Sequence, residues 1–231
     1  MEWLQNILEI DKELFLSLNS LHSPFWDTIM LMVTRKETWI PFFLIILFFI
    51  IKNYQSKALP VLIILALTIL AGDQFSVILK DTVQRLRPVH DPEIGSLVHN
   101  VLRKGSLYGF VSSHAANSFA IFAFTTRLFK NRGYYFLILF WALLFSYSRI
   151  YSGVHYPLDI LGGGILGWFT GFMFFKLLMF TENHFLLSGL PRIQKTKLSA
   201  NQSAIVALVF FVLGITVFIV TFILHHYGYL K

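Results

Sequence analysis

The chain has 231 residues and a formal net charge of +7, yet only 13% of its residues are charged and 56% are hydrophobic. A soluble domain is usually about a quarter charged, so this composition indicates a protein whose main solvent is a lipid bilayer. The absence of cysteine excludes disulfides and thiolate metal sites. The basic residues lie in short linkers between apolar runs, which favours membrane topology and anion binding over nucleic-acid binding.

The first 37 residues predict a segment that lies at the membrane surface. Residues 4–18 are amphipathic and acidic, whereas residues 25–33 are apolar but shorter than the roughly 17–25 residues that a membrane-spanning helix needs. We interpret residues 1–37 as an interfacial helix or a half-inserted hairpin. A seventh span in this region is the alternative.

Six apolar runs predict spanning helices in the rest of the chain. Residues 58–79, with Asp73 as their one charge, residues 156–178 and residues 203–224 reach the required length. Residues 39–51, 113–129 and 133–148 reach it with their flanking aromatic or basic residues. The predicted fold is therefore all-α, a polytopic transmembrane helical bundle of about six spans in a single domain over residues 1–231.

Two features organise this bundle. Gly163, Gly167 and Gly171 recur every four residues within one span, a pattern typical of closely packed membrane helices rather than of a phosphate loop. The linkers also form two groups, of which residues 52–57, 127–132 and 176–197 are strongly basic. The positive-inside rule places this basic group in the cytoplasm, so that residues 80–113 and 149–155 face outward.

The first polar motif contains Lys80, Arg87 and Pro88. Lys80 and Arg87 are seven residues apart, which on a helix places them on one face, and Pro88 ends the helix. Together they can clamp a phosphate, Arg by bidentate hydrogen bonds and Lys as a point charge. Taken alone, the motif fits basic side chains that snorkel to the membrane surface better than it fits a phosphate site.

The second motif, Ser112-Ser113-His114, opens a predicted span. Serines at a helix start act as N-caps, and the free N–H groups there favour an anion. His114 beside such a site could donate a proton. By itself the motif also fits a plain capped helix with a histidine at the membrane surface.

The third motif runs from Ser148 and Arg149 to His155 and Asp159. Pro157 suits the first turn of the next helix, so Asp159 lies in that turn, four residues after His155. A carboxylate there can fix the imidazole tautomer and leave the other ring nitrogen as a nucleophile or base. In the six-span topology all three motifs meet on one face of the bilayer, and together they supply the groups that phosphoryl transfer requires.

These residues resemble the type 2 phosphatidic acid phosphatase family, whose pattern is K-x6-R-P, then P-S-G-H, then S-R-x5-H-x3-D. The first and third motifs match fully, whereas in the second Val111 replaces the proline and Ser113 the glycine. The resemblance covers residues 80–159 and implies a metal-independent lipid phosphatase without a cofactor. It implies that His155 attacks phosphorus, that Asp159 orients it, and that His114 protonates the leaving oxygen. The implied phosphate ligands are Lys80, Arg87, Arg149, Ser112 and Ser113.

The expected substrates are undecaprenyl diphosphate, phosphatidate, phosphatidylglycerol phosphate or a lipid A phosphate, in a bacterial inner membrane with the site facing the periplasm or exterior. Arg85, Arg103 and Lys104 are further candidates for contact with an acidic headgroup, although a position in a solvated loop explains each of them more simply. Two alternatives are a lipid-linked phosphotransferase, which would pass the phosphate to an acceptor other than water, and an anion-binding transporter. The expected partners are the bilayer and its phosphorylated lipid, with no nucleic acid. The oligomeric state cannot be read from the sequence.

Overall fold

A computed structural model describes residues 2–102, 104–185 and 191–228, and its regular structure within these ranges is helical. This confirms the predicted all-α class. The α-helices are α1 (Glu2–Asn19), α2 (Pro24–Thr34), α3 (Ile40–Tyr54), α4 (Ala58–Val83), α5 (Ser113–Phe129), α6 (Arg132–Tyr151), α7 (Pro157–Phe185) and α8 (Ala200–His226).

Four helical segments of the described chain are long and apolar enough to cross a membrane: Lys36–Val83, Arg132–Tyr151, Pro157–Phe185 and Ala200–His226. The first of them contains both α3 and α4. The chain is therefore a polytopic membrane protein. Helix α5 has 17 residues and a more polar sequence, and it lies between other helices rather than at the edge of the bundle. The count of six spans stays a prediction.

Helix α5 packs most extensively against α7, and the three spaced glycines form the contact. A Cβ atom added at Gly167 would lie 2.0 Å from the carbonyl oxygen of Ala116, and one at Gly163 would lie 2.5 Å from that of Ser112. Only glycine permits the two backbones to come so close. The predicted packing role is confirmed, and it holds the start of α5 against the start of α7.

The basic linkers gather at one end of the bundle. There a buried ion pair joins Lys57 to Glu182 at 2.8 Å, and the Leu198 N–H donates to the Phe129 carbonyl at 2.9 Å. The three polar motifs meet at the other end, as described below. The two groups of linkers that the sequence separates are thus also separate in the structure.

Helix α1 covers the end that carries the motifs. Its apolar residues Ile7, Ile10 and Leu14 are exposed, whereas Asp11 and Asn19 are buried against the protein. The opposite face packs on the protein with Phe15 as well as the two polar residues. An outward apolar face on such a helix fits an interfacial position in a membrane. The placement of α1 at the membrane surface stays a prediction.

Candidate active site

His155 and Asp159 form a buried pair where α7 begins. Asp159 Oδ2 lies 3.3 Å from His155 Nδ1 and also accepts the Tyr156 N–H at 3.0 Å. The two side chains are only 2% and 0% exposed. An ionised carboxylate can only accept hydrogen bonds, so it favours the tautomer with the proton on Nδ1. Nε2 then keeps its lone pair for a reacting group.

Three cations surround this imidazole. Burial lowers the pKa of His155 well below its ordinary value of 6.5, and the positive charges of Arg87, Arg149 and Lys80 lower it further. His155 is therefore a neutral imidazole at pH 7. The same three charges form an electropositive site in which a phosphate group would be stabilised.

Arg87 is held by a loop, residues 104–111, that leads into α5. Its Nε donates to the Tyr108 carbonyl at 3.1 Å, and its Nη2 donates to Ser106 Oγ at 2.9 Å. The Arg87 N–H also donates to the Leu107 carbonyl at 3.1 Å. These bonds fix the direction of the guanidinium. The prediction that Arg87 shares a helical face with Lys80 is wrong, because α4 ends at Val83 and Arg87 has an extended backbone beyond it.

Lys80 meets the start of α5 through Ser113. Its Nζ donates to Ser113 Oγ at 2.6 Å, and Ser76 Oγ lies 2.6 Å from the same hydroxyl. Ser113 stands where the family pattern has glycine, so its hydroxyl adds a contact that glycine lacks. Ser112 is buried, and its Oγ accepts the Ala115 N–H at 3.5 Å as the N-cap of α5.

Arg149 is oriented by α2. Its Nη1 donates to Thr34 Oγ1 at 2.6 Å, while its Nε is buried with no hydrogen-bond partner among the residues that the structure describes. The guanidinium can therefore bond an anion without giving up its contact to Thr34. Nothing in the sequence singled out Thr34, because it lies 115 positions from Arg149.

His114 lies on the wall of a cavity of about 250 Å³. Its ring stacks on Phe145 with 5.3 Å between ring centres. The Ser112 N–H donates to the Asp159 carbonyl oxygen at 3.0 Å, which ties the second motif to the third. The structure thus brings the predicted residues of all three motifs to one end of the bundle.

Arg85 and Asp11 complete the surroundings of Asp159, and the sequence missed this arrangement. Arg85 Nη1 donates to Asp159 Oδ1 at 3.2 Å and Nη2 donates to Asp11 Oδ2 at 2.6 Å. Asp11 Oδ1 accepts the Leu158 N–H at 2.9 Å. Arg85, expected to contact a headgroup, is instead engaged with two acids. Of the other two residues with that expectation, Lys104 is exposed, and Arg103 lies outside the described residues.

Gly109 is a second feature that the sequence did not indicate. A Cβ atom at this position would lie 2.9 Å from Asp159 Oδ2 and 3.2 Å from Arg87 Cγ. The loop backbone therefore packs directly on the His155–Asp159 pair.

Within the described ranges, no group of three or more His, Asp or Glu side chains is placed to hold a metal ion.

A neutral, oriented imidazole, a second histidine and three cations in one site suit phosphoryl transfer through a nitrogen nucleophile.

In comparisons with known proteins, the model of the PAP2 superfamily matches residues 57–182. The lipid A 4'-phosphatase of Bacteroides thetaiotaomicron is 42% identical over 177 residues, covering 74% of this chain and 78% of that protein. The lipid A 4'-phosphatase of Porphyromonas gingivalis is 33% identical over 191 residues, covering 81% of each. The crystal structure of Aquifex aeolicus LpxE matches with a TM-score of 0.57 at 24% identity, covering 71% of this chain and 93% of that one.

Proposed function

Since this chain belongs to the PAP2 superfamily and is a membrane lipid phosphatase, we propose that it removes the 4'-phosphate of lipid A through a covalent intermediate on His155. The observation that carries the mechanism is the neutral imidazole of His155, held by Asp159 within reach of three positive charges. The choice of lipid rests on the two lipid A 4'-phosphatases, to which this chain is 42% and 33% identical.

In the first step, His155 Nε2 attacks phosphorus and the bond from phosphorus to the sugar oxygen breaks. His114 donates its proton to that oxygen, which leaves as a hydroxyl. Lys80, Arg87 and Arg149 neutralise the charge on the phosphoryl oxygens, with further donors from Ser112 and Ser113. Asp159 stabilises the positive charge that develops on the imidazole. Such preorganised charges supply a large part of the catalysis in phosphoryl transfer.

In the second step, water attacks the phosphorus of the phosphohistidine. His114, now neutral, takes a proton from that water, and the nitrogen–phosphorus bond breaks. Phosphate leaves and both histidines return to their starting states. Every group in this cycle comes from the chain itself, so the proposed reaction uses no metal ion.

The site is proposed to face the periplasm or exterior of a bacterial inner membrane. The support is the separation of the basic linkers, with the Lys57–Glu182 pair, from the end that holds His155. Basic linkers favour the cytoplasmic side. A cysteine-accessibility experiment with Ser106→Cys and Lys195→Cys in whole cells would check this, since only the first is expected to react with an impermeant thiol reagent.

The function is tested by phosphate release from purified protein in detergent with EDTA. The substrates are lipid A with a 4'-phosphate, lipid A with only a 1-phosphate, phosphatidate and undecaprenyl diphosphate. We expect the 4'-phosphate to be released fastest and His155→Ala to abolish release. With radiolabelled phosphate, the wild-type protein is expected to yield an acid-labile phosphohistidine that the variant lacks.

His114→Ala separates the roles of the two histidines. It should retain the covalent intermediate but lose roughly 10²–10⁴-fold in turnover, the usual contribution of general acid–base catalysis. Turnover near the wild-type rate in His155→Ala would remove the nucleophile from the mechanism. A preference for another lipid would replace the substrate while leaving the mechanism intact.

A further inference from the structure

The cavity beside His114 extends well beyond the phosphate site. It lies between α3, α4, α5 and α6 and reaches from Ser113 to Ile121 along α5. Eight residues of helix rise about 12 Å, so the cavity continues for two turns past the residues that would hold phosphate. Its volume of about 250 Å³ therefore accommodates more of a substrate than its phosphate.

Asp73 is the first unusual group in the lining. It lies seven residues before Lys80 and is the one charged residue of the segment 58–79. Its carboxylate makes no ion pair or hydrogen bond with the part of the chain that the structure describes. An acidic residue within a spanning segment is expensive and is generally retained for a function.

Asn117 is the second. It lies one turn after Ser113 on α5, and its Oδ1 atom is buried with no hydrogen-bond partner within the described ranges. Its Oδ1 atom lies against Gly72 of α4, where an added Cβ atom would be only 3.1 Å away. The α4 backbone therefore restricts the Asn117 side chain on that side. A buried polar atom without a hydrogen-bond partner costs free energy, and a ligand that supplies the bond recovers that cost.

The remaining wall is mostly aromatic. Trp39 and Trp141 lie with their rings 6.2 Å apart, and Trp141 stacks on Phe145 at 5.4 Å. Apolar and aromatic walls with a few placed polar groups are typical of small-molecule sites. Lys36, the other charged residue of the lining, is exposed on the short turn before α3.

We propose that this cavity is the leaving-group subsite and that Asp73 and Asn117 select a neutral, hydroxyl-bearing sugar there. The inference rests on the proposed function, because His114 can protonate the leaving oxygen only if that oxygen enters the cavity that His114 lines. Asp73 accepts hydrogen bonds from sugar hydroxyls, and Asn117 both donates and accepts. A carboxylate repels an anionic leaving group, such as the lipid phosphate released from a polyprenyl diphosphate.

The test compares kcat/KM for three substrates: lipid A 4'-phosphate, undecaprenyl diphosphate and para-nitrophenyl phosphate, whose leaving group carries no sugar. Asp73→Asn removes the charge and keeps the shape, and Asn117→Leu removes the hydrogen bonds at similar volume. Asp81→Asn is the matched control, because Asp81 is exposed on the same helix and lies outside the cavity.

We expect Asp73→Asn to lower kcat/KM for lipid A about 10-fold, the loss that follows from one hydrogen bond to a charged group. The ratio of lipid A to undecaprenyl diphosphate should fall by at least as much. Asn117→Leu should lower kcat/KM for lipid A about threefold to 10-fold. Both variants should stay within about twofold of wild type on para-nitrophenyl phosphate, which also shows that they are folded, and Asp81→Asn should match wild type throughout.

Equal losses on all three substrates would overturn the subsite, because they would show that Asp73 and Asn117 serve the phosphate site or the fold. Unchanged kinetics on lipid A would overturn it as well. Both results leave the proposed function standing if the wild-type protein releases the 4'-phosphate. A wild-type protein that prefers undecaprenyl diphosphate would instead overturn lipid A as the substrate of the proposed function. It would also overturn the sugar as the ligand of the leaving-group subsite.

Discussion

Arg85 joins two carboxylates that belong to distant parts of the chain. One side of its guanidinium bonds Asp159 and the other bonds Asp11, while its central carbon lies 4.1 Å from the centre of the Tyr156 ring. Asp159 in turn bonds His155. Arg85 therefore acts on the imidazole through its partner, and it is a positioning residue in the proposed mechanism.

Replacing Arg85 with Gln is expected to lower kcat about 10-fold and to leave KM within about twofold. The bond to Asp159 is charge-assisted, and the loss of such a bond is worth about that factor. Arg85→Lys retains a positive charge and should recover part of kcat. Steady-state kinetics on the best lipid substrate measure both constants. A rise in KM with unchanged kcat would show that Arg85 contacts substrate, and equal rates in Gln and Lys variants would exclude a positioning role.

At the level of elements, the α5–α7 contact determines the distance between His114 and His155. The two helices meet along a seam of glycines that leaves no room for side chains, since Gly167 faces the Ala116 carbonyl and Gly171 faces that of Ala120. Any side chain in the seam must separate the two helices. Such a shift would move the proposed acid away from the nucleophile, and misplacement by about 1 Å can lower a rate about 100-fold.

Gly167→Ala should therefore reduce turnover at least 10-fold and lower the melting temperature in detergent. Gly214→Ala is the matched control, because it also lies within a long apolar helix but has open space around it. The control should behave as wild type in both measurements. Full activity in Gly167→Ala would mean that the seam does not set the geometry of the site.

The helical elements and the spaced motif residues could be predicted from the sequence because both depend on local geometry. His155 and Asp159 lie four residues apart around the start of α7, so their spacing indicates that they meet. For Lys80 and Arg87 the predicted shared helical face is wrong, because α4 ends at Val83 and Arg87 lies beyond it. The partners that orient them are remote. Asp11 lies 74 positions from Arg85, and nothing in the sequence of an amphipathic α1 shows that its acid turns inward.

On the scale of the whole molecule, a buried ion pair stabilises the end opposite the site. Lys57 and Glu182 are almost fully buried, with side-chain exposures of 4% and 6%. Glu182 also accepts the Ile193 N–H at 2.7 Å, which ties the linker after α7 to α4. Helices that are distant in sequence are thereby joined on the side of the basic linkers.

Glu182→Gln should destabilise the protein by about 3–5 kcal/mol, because it leaves the Lys57 ammonium buried without a counter-charge. The double variant Lys57→Met with Glu182→Leu should recover most of this stability, since an apolar pair of similar size carries no such charge. Unfolding in detergent measures the stability of the single and the double variant, and the kcat of the folded protein should not change in either. Equal stability of the wild type and Glu182→Gln would show that the pair contributes nothing.

With α1 in its predicted interfacial position, its exposed apolar face also bears on how a lipid reaches the proposed nucleophile. Because Arg85 joins Asp11 to Asp159, α1 and His155 keep a fixed difference in height along the bundle. In the predicted interfacial position of α1, the depth of this helix among the headgroups therefore also sets the depth of the reaction. A lipid phosphate at that level would reach His155 by lateral diffusion, with its acyl chains still in the bilayer.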